Sequence, residues 1–255
     1  MPVFNSDGVE IAFVDEGAST EAGRIVLLIH GFASSVSVNW LDPGWIRLLV
    51  SEGYRVVAID NRGHGRSAKP HDPSAYGGPL MAEDARRLLD HLGIARAHVM
   101  GYSMGARISA FLALAHPARV RSLVFGGLGI NMVRGMAGTG PIAHALEADS
   151  IDAVTNPTAR TFRAFAEQTG SDLKALAACI RSSRDPISAD DLRRITCPVL
   201  VAVGESDVIG GAAQPLADII PDAAGFTIPG RDHMKAVGDR TYKQRVLQFL
   251  AAAGA

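Results

Sequence analysis

Short, uninterrupted apolar runs alternate with helical stretches along this chain, and that alternation restricts it to a narrow set of folds. Ile25-Val-Leu-Leu-Ile29 and Tyr54-Arg-Val-Val-Ala-Ile59 are β-branched runs that end in glycine-containing turns. Ala97–Met100, Val120–Phe125 and Val199–Val203 have the same character. Runs apolar on both faces suit parallel strands buried on both sides. Between them, Pro79 to Leu92 carries Leu80, Met81, Ala85, Leu88, Leu89 and Leu92 at helical spacing, with Gly93 placed to end the helix. Met104 to Ala115 is a second helical stretch, closed off before Pro117. Strand–helix–strand repetition implies right-handed crossovers and an open, doubly wound, mostly parallel α/β sheet. Val3–Phe4 and Val9–Val14, flanking Ser6-Asp7-Gly8, are expected to form an opening antiparallel hairpin.

The alternation breaks after Gly126. Glycines crowd the segment from Gly126 to Gly140, and helical patterns follow near Ile142–Val154, Thr158–Gln168 and Asp172–Ser183. No strand-like run returns until Val199. The simplest arrangement is one α/β domain over 1–255, with residues 127–190 inserted after the sixth strand as a small helical cap above the carboxyl edge of the sheet. A length of 255 residues fits one such domain.

Charge and cysteine usage narrow the function classes. Lys plus Arg number 25 against 26 Asp plus Glu, so there is no electrostatic case for nucleic acid or an anionic membrane as partner. Cys179 and Cys197, the only cysteines, cannot build a disulfide framework or a thiolate zinc site. The opening residues lack a basic segment followed by an apolar one, and no run reaches the ~18 apolar residues of a membrane helix. A cytoplasmic protein, monomeric or homodimeric, is expected.

Gly101-Tyr102-Ser103-Met104-Gly105 is the chain's one Gly-x-Ser-x-Gly. Such a pattern arises by chance about once in ten chains of this length. Its setting carries more weight, because it follows a strand directly and opens a helix directly. A sharp strand-to-helix turn lifts a serine hydroxyl above the sheet edge, with glycines where the backbones pass closely. A serine there could instead simply cap the helix. As a nucleophile it needs a base. Of eight histidines, His233 in Gly230-Arg231-Asp232-His233-Met234 follows the last strand-like run, Gly225-Phe-Thr-Ile-Pro229, and precedes the final helix. Asp207, in the loop after Val199–Val203, is placed to orient that imidazole, with Glu205 and Asp232 as rivals. Backbone N–H groups of Met104 and of Phe32, in the turn after Ile25–Ile29, are the candidates for an oxyanion hole.

His30-Gly31-Phe32, Asp60-Asn-Arg-Gly-His-Gly-Arg-Ser67, Gly-Tyr-Ser-Met-Gly, Gly204-Glu-Ser-Asp207 and Asp232-His233 together resemble the α/β-hydrolase fold family, and within it the small bacterial carboxylesterases. The resemblance implies a Ser103–His233–Asp207 triad that cleaves small carboxylic esters, including aliphatic polyesters in some relatives. The family's lactonases, perhydrolases and carbon–carbon-bond hydrolases share that triad and stay open, as does a slow-turnover ligand receptor on the same scaffold. Serine at 103 departs from the dehalogenase and epoxide-hydrolase branches, which carry aspartate there. Phe162, Phe165, Met132, Met136 and Leu146 are candidates for an apolar substrate pocket.

Gly63-His-Gly65-Arg-Ser-Ala68 also follows a strand and matches the loose form of a dinucleotide fingerprint. Pro70 and Pro73 forbid the helix that such a site needs, so it reads as a tight structural loop. Neither a P-loop nor a His-Glu-x-x-His motif occurs, and no cofactor or metal is expected.

Overall fold

Asp7 (φ 54°) and Gly8 (φ 85°) close the turn between β1 (Val3–Ser6) and β2 (Val9–Glu16). Two successive positive φ angles are what a tight antiparallel hairpin demands, and Asp-Gly supplies them at low cost. The computed structural model describes residues 1–18, 24–135, 139–182 and 186–254. After the hairpin come β3 (Ile25–Ile29), a wide helical turn over Ser37–Leu41, α1 (Trp45–Ser51), β4 (Arg55–Ile59) and α2 (Gly78–His91). Next are β5 (Ala97–Tyr102), α3 (Met104–Ala115) and β6 (Val120–Gly126). A helical stretch follows, with α4 (Asn131–Arg134), α5 (Thr139–Glu147), α6 (Pro157–Gln168), α7 (Leu173–Ser182) and α8 (Ala189–Leu192). The chain closes with β7 (Val199–Gly204), α9 (Ala213–Ala217), β8 (Ala223–Ile228) and α10 (Arg240–Gly254).

The strands form one 8-stranded sheet in the order β1-β2-β4-β3-β5-β6-β7-β8. β1 and β2 run antiparallel at one edge, and from β4 to β8 every pairing is parallel. Alternate residues of the central strands point to opposite faces. Leu27, Ile29, Val57, Ile59 and Val99 meet the buried sides of α2 and α3. Val26, Leu28, Val56, Ala58 and Met100 meet Trp40, Trp45, Tyr242, Val246 and Leu250 on the other side. The sheet is therefore doubly wound. Every residue of β3 is buried, as a strand covered on both faces must be. Complete burial of a Leu or Ile side chain contributes ~1.5–3 kcal/mol.

The helices of the stretch between β6 and β7 share their buried residues, among them Ile142, Leu146, Leu176 and Ile180, with the core under α2 and α3. The helix expected over Ile142–Val154 is two pieces, α5 and a single turn at Ile151–Ala153. Ser150 accounts for the break, because its hydroxyl accepts from Asp152 N–H at 3.2 Å and starts the turn locally. α4 lies in the glycine-rich segment between Gly126 and Gly140. α1, not marked by the sequence pattern, is short, contains β-branched Ile46 and Val50, and starts from Gly44 at φ 78°. Among the described residues no helix is long and apolar enough to cross a membrane.

Candidate active site

β5 ends at Tyr102 and α3 begins at Met104, so Ser103 alone carries the turn between them, at φ 54° and ψ −112°. A positive φ on a residue with a Cβ is costly and is kept where packing over-determines it. The two flanking glycines do that here. A Cβ on Gly105 would lie 2.0 Å from the Ile29 carbonyl oxygen, and one on Gly101 would lie 2.2 Å from that of Gly105. No larger residue fits either place.

Asp207 and His233 follow β7 and β8, at the same carboxyl edge as Ser103. His233 Nδ1 is 2.7 Å from Asp207 Oδ2, and its Nε2 is 3.0 Å from Ser103 Oγ. An ionised carboxylate only accepts, so the ring proton sits on Nδ1, and Nε2 is left to accept from the serine hydroxyl. The second carboxylate oxygen of Asp207 accepts from Ile209 N–H at 2.9 Å and Gly210 N–H at 2.8 Å. The three side chains form one hydrogen-bonded line. Of the rival acids, Asp232 instead accepts from the backbone N–H groups of Met234 and Lys235. Those bonds, Lys235 first, hold its carboxyl below the usual range. Glu205 accepts from Gly230 N–H at 2.8 Å.

Phe32 follows β3 in a turn held by Gly31 N–H, which donates to Asn39 Oδ1 at 2.8 Å. A Cβ on Gly31 would lie 3.5 Å from Ser103 Cβ, so this turn passes directly over the serine. Met104 is the first residue of α3, where a helical N–H has no carbonyl within its own helix. His30 and His64 support the turn from below. His30 Nδ1–H donates to Gly31 O at 2.7 Å, and its Nε2 accepts from Asn61 N–H at 3.0 Å. Burial pushes the His30 imidazole down to about 4 and that of His64 to about 3, so both rings stay neutral.

A cleft of about 150 Å3 opens over Ser103 and His233. Its walls include Phe32, Ser34, Val38 and Asn39 from the β3 side, Thr161, Phe162 and Phe165 from α6, and Ile209, Met234 and Val237. The arrangement is a shielded hydroxyl, a base, an acid behind it and a mostly apolar recess, which is what acyl transfer requires. Among the described residues no group of His, Cys, Asp and Glu is placed to hold a metal ion.

Residues 24–136 match the family model described as the alpha/beta hydrolase fold. A solved N-acyl homoserine lactone degrading enzyme is 25% identical, with a TM-score of 0.76 over 97% of this chain and 99% of that one. The chain has the α/β-hydrolase fold. It is 35% identical over 133 residues to an epoxide hydrolase B of Mycobacterium tuberculosis, a match spanning 50% of this chain and 36% of that protein. It is 31% identical over 250 residues to a dihydrolipoyllysine-residue acetyltransferase component of an acetoin cleaving system from Pseudomonas putida. That match covers 90% of this chain and 64% of the relative. The chain thus spans less than two thirds of either curated relative.

The candidate serine, histidine and acid converge from three separate loops. Of the pocket candidates, Phe162 and Phe165 line the cleft. Met132 and Leu146 do not, being buried in the core at 0% and 2% exposure. α5 packs against α7, and Leu146 shares the core with Leu176 and Ile180 of that helix. Met136 lies outside the described residues. In the Gly63–Ala68 loop, Asp60 accepts from Arg66 N–H at 2.8 Å and Val36 N–H at 2.7 Å, and Gly65 sits against its carboxylate. The loop thereby braces the β3 turn. Neither Tyr102 nor Asn39 is marked as a site residue by the sequence pattern. Tyr102 occupies a variable position of the serine motif, and Asn39 lies in a turn with no periodic signal.

Proposed function

We propose that this α/β-hydrolase cleaves small carboxylic esters through a covalent acyl-enzyme on Ser103. The Ser103–His233–Asp207 line, at 3.0 Å and 2.7 Å, carries the proposal. His233 Nε2 takes the hydroxyl proton as Oγ attacks the ester carbonyl, and Asp207 stabilises the imidazolium that forms. The tetrahedral oxyanion is received by the backbone N–H groups of Met104 and Phe32. His233 then returns the proton to the leaving alcohol, and a water deprotonated by the same ring releases the acid. Residues 127–190 act as the cap, with Phe162 and Phe165 of α6 over the site.

The small, largely uncharged cleft supports short, neutral substrates. Arg107, a potential anchor for an anionic dienoate, is 2% exposed and donates to the Met132 and Asn131 carbonyls. Arg134 is exposed and outside the cleft. Both observations disfavour carbon–carbon-bond hydrolysis of such acids. Lactones, as cyclic esters, follow the same steps and are a second reading, supported by the likeness to the lactone-degrading enzyme.

A panel of p-nitrophenyl esters from acetate to palmitate, run beside lactones, tests the proposal. Short esters should turn over well past one equivalent, and a fluorophosphonate probe should label Ser103. Release that stops near one equivalent would point to a receptor, and labelling of another serine would overturn the assignment.

A further inference from the structure

Ala33 directly follows Phe32, the proposed oxyanion donor, and holds φ 56°. Among the described residues only two other non-glycines have a positive φ, Asp7 of the opening hairpin and Ser103. That backbone shape is unfavourable for a residue with a Cβ and persists where the surroundings hold it. The segments after β3 and β4 hold this turn at its two ends. His30 Nδ1–H donates to Gly31 O, Gly31 N–H donates to Asn39 Oδ1, and Val36 N–H donates to Asp60 Oδ1. None of these bonds reaches Ala33. Its carbonyl is held from α6, where Thr169 Oγ1 lies 3.0 Å from Ala33 O. Thr169 caps the C-terminus of α6, the helix that sets Phe162 and Phe165 in the cleft wall.

Thr169 Oγ1 also lies 3.0 Å from Phe165 O, 3.1 Å from Ala166 O and 2.9 Å from Ser171 Oγ. A hydroxyl has one hydrogen to give. Phe165 O already accepts from Thr169 N–H, and Ala166 O from Ser171 N–H. Ala33 is fully buried, and among the described residues its carbonyl has no other donor. Donation from Ser171 to Thr169 and from Thr169 to Ala33 O therefore pairs every one of these groups. A buried carbonyl left without a donor is costly, which favours that order. We propose that Thr169 is a positioning residue for the oxyanion hole, aiming the Phe32 N–H by holding the Ala33 carbonyl from α6. The proposal rests on the ester-hydrolase reading of the site and assigns part of its geometry to the helix that covers it.

Turnover of p-nitrophenyl butanoate by the wild type, Thr169→Val and Thr169→Ser tests this. Valine keeps the shape of threonine without the hydroxyl, and serine keeps the hydroxyl. In Thr169→Val, kcat should fall about tenfold, a partial loss of one oxyanion donor, with KM within about twofold. Thr169→Ser should stay within about twofold of the wild type in both constants. Inhibition by propyl trifluoromethyl ketone, whose adduct on Ser103 carries the same oxyanion, should weaken in step with kcat. Thr169→Ala takes the place of the valine variant if circular dichroism shows the latter to be misfolded. A kcat within about twofold of wild type in the hydroxyl-free variant, an equal loss in Thr169→Ser, or a change in KM alone would overturn the proposal. The Phe32 amide gives a readout independent of turnover. Labelling with carbonyl-¹³C glycine and ¹⁵N phenylalanine selects only the Gly31-Phe32 and Gly225-Phe226 peptides. The Phe32 signal should move in Thr169→Val and return in Thr169→Ser, with Phe226 unmoved as the reference. If no ester turns over, the hydrolase reading fails, while a Phe32 signal indifferent to Thr169→Val would by itself overturn this inference.

Discussion

The Tyr102 hydroxyl donates to the backbone carbonyl of His233 at 2.6 Å, joining the residue before the candidate nucleophile to the candidate base. The two are 131 positions apart in the chain, and their rings lie 5.6 Å apart. Gly126 and Gly127 make the slot for the Tyr102 ring, since a Cβ on either would meet it within 3 Å. Tyr102→Phe keeps the ring and removes only the tether. Its kcat should fall by about 3–30-fold with KM little changed, because the histidine loop loses one bond that aims Nε2. A fall in KM affinity with kcat intact would place Tyr102 in binding instead.

Asp207 and Asp232 are separable by the same kinds of measurement. Asp207→Asn should reduce kcat by about 10²–10⁴, since an amide favours the wrong tautomer and removes the charge opposite imidazolium. Asp232→Asn disturbs only a turn and should cost no more than about tenfold. Circular dichroism and melting curves on both variants exclude unfolding. A crippled Asp232 variant beside an active Asp207 variant would reverse the acid assignment.

Two glycines should respond oppositely to the same substitution. Gly105→Ala sets a methyl 2.0 Å from the Ile29 carbonyl oxygen and should destabilise by more than about 4 kcal/mol, seen as a collapsed Tm or insoluble protein. Gly140, within α5, has nothing within 4 Å of its would-be Cβ. Gly140→Ala should raise stability by about 0.5–1 kcal/mol through helix propensity. Equal behaviour of the pair in urea melts would contradict the packing described.

Stability should decline below pH 6.5 before the carboxylates are involved. In the unfolded chain His30 and His64 take up protons near pH 6.5, whereas in the folded chain burial delays this to about 4 and about 3. The unfolded state therefore binds more protons between these limits, and folding free energy falls as pH falls. Each ring contributes a slope on the order of 1.4 kcal/mol per pH unit. Asp239 enters later: burial raises its carboxyl, but bonds from Thr241 and Arg231 outweigh this and hold it at about 2. Urea midpoints measured from pH 7 to 4.5 check this, and a flat profile would refute it.

Phe162 and Phe165 should govern chain length. The Phe162 ring meets Phe32 at 6.0 Å, closing the cleft from the α6 side. Phe162→Ala or Phe165→Ala should shift preference toward longer acyl chains by about 10–100-fold in relative kcat/KM while acetate turnover changes least. Uniform losses for every ester together with a lowered Tm would make these rings ordinary core.

The alternation of strands and helices and the strand-to-helix turn that carries Ser103 were legible in the sequence because their causes are local. A strand buried on both faces must be apolar throughout, as β3 is, and a serine at φ 54° between glycines must be written Gly-x-Ser-x-Gly. Contacts between distant segments carry no such mark. Glu205, Asp207 and Asp232 are equivalent as residue types, and only the approach of the β7 and β8 loops sets Asp207 at 2.7 Å from the imidazole. The helical stretch shows the same limit, since periodicity reveals which side of a helix is apolar but not what that side meets. Tertiary packing put Phe162 and Phe165 over the cleft and sent Met132 and Leu146 into the core. It also tied Tyr102 to His233 and Thr169 to Ala33, because each contact depends on where chains far apart in sequence come to rest.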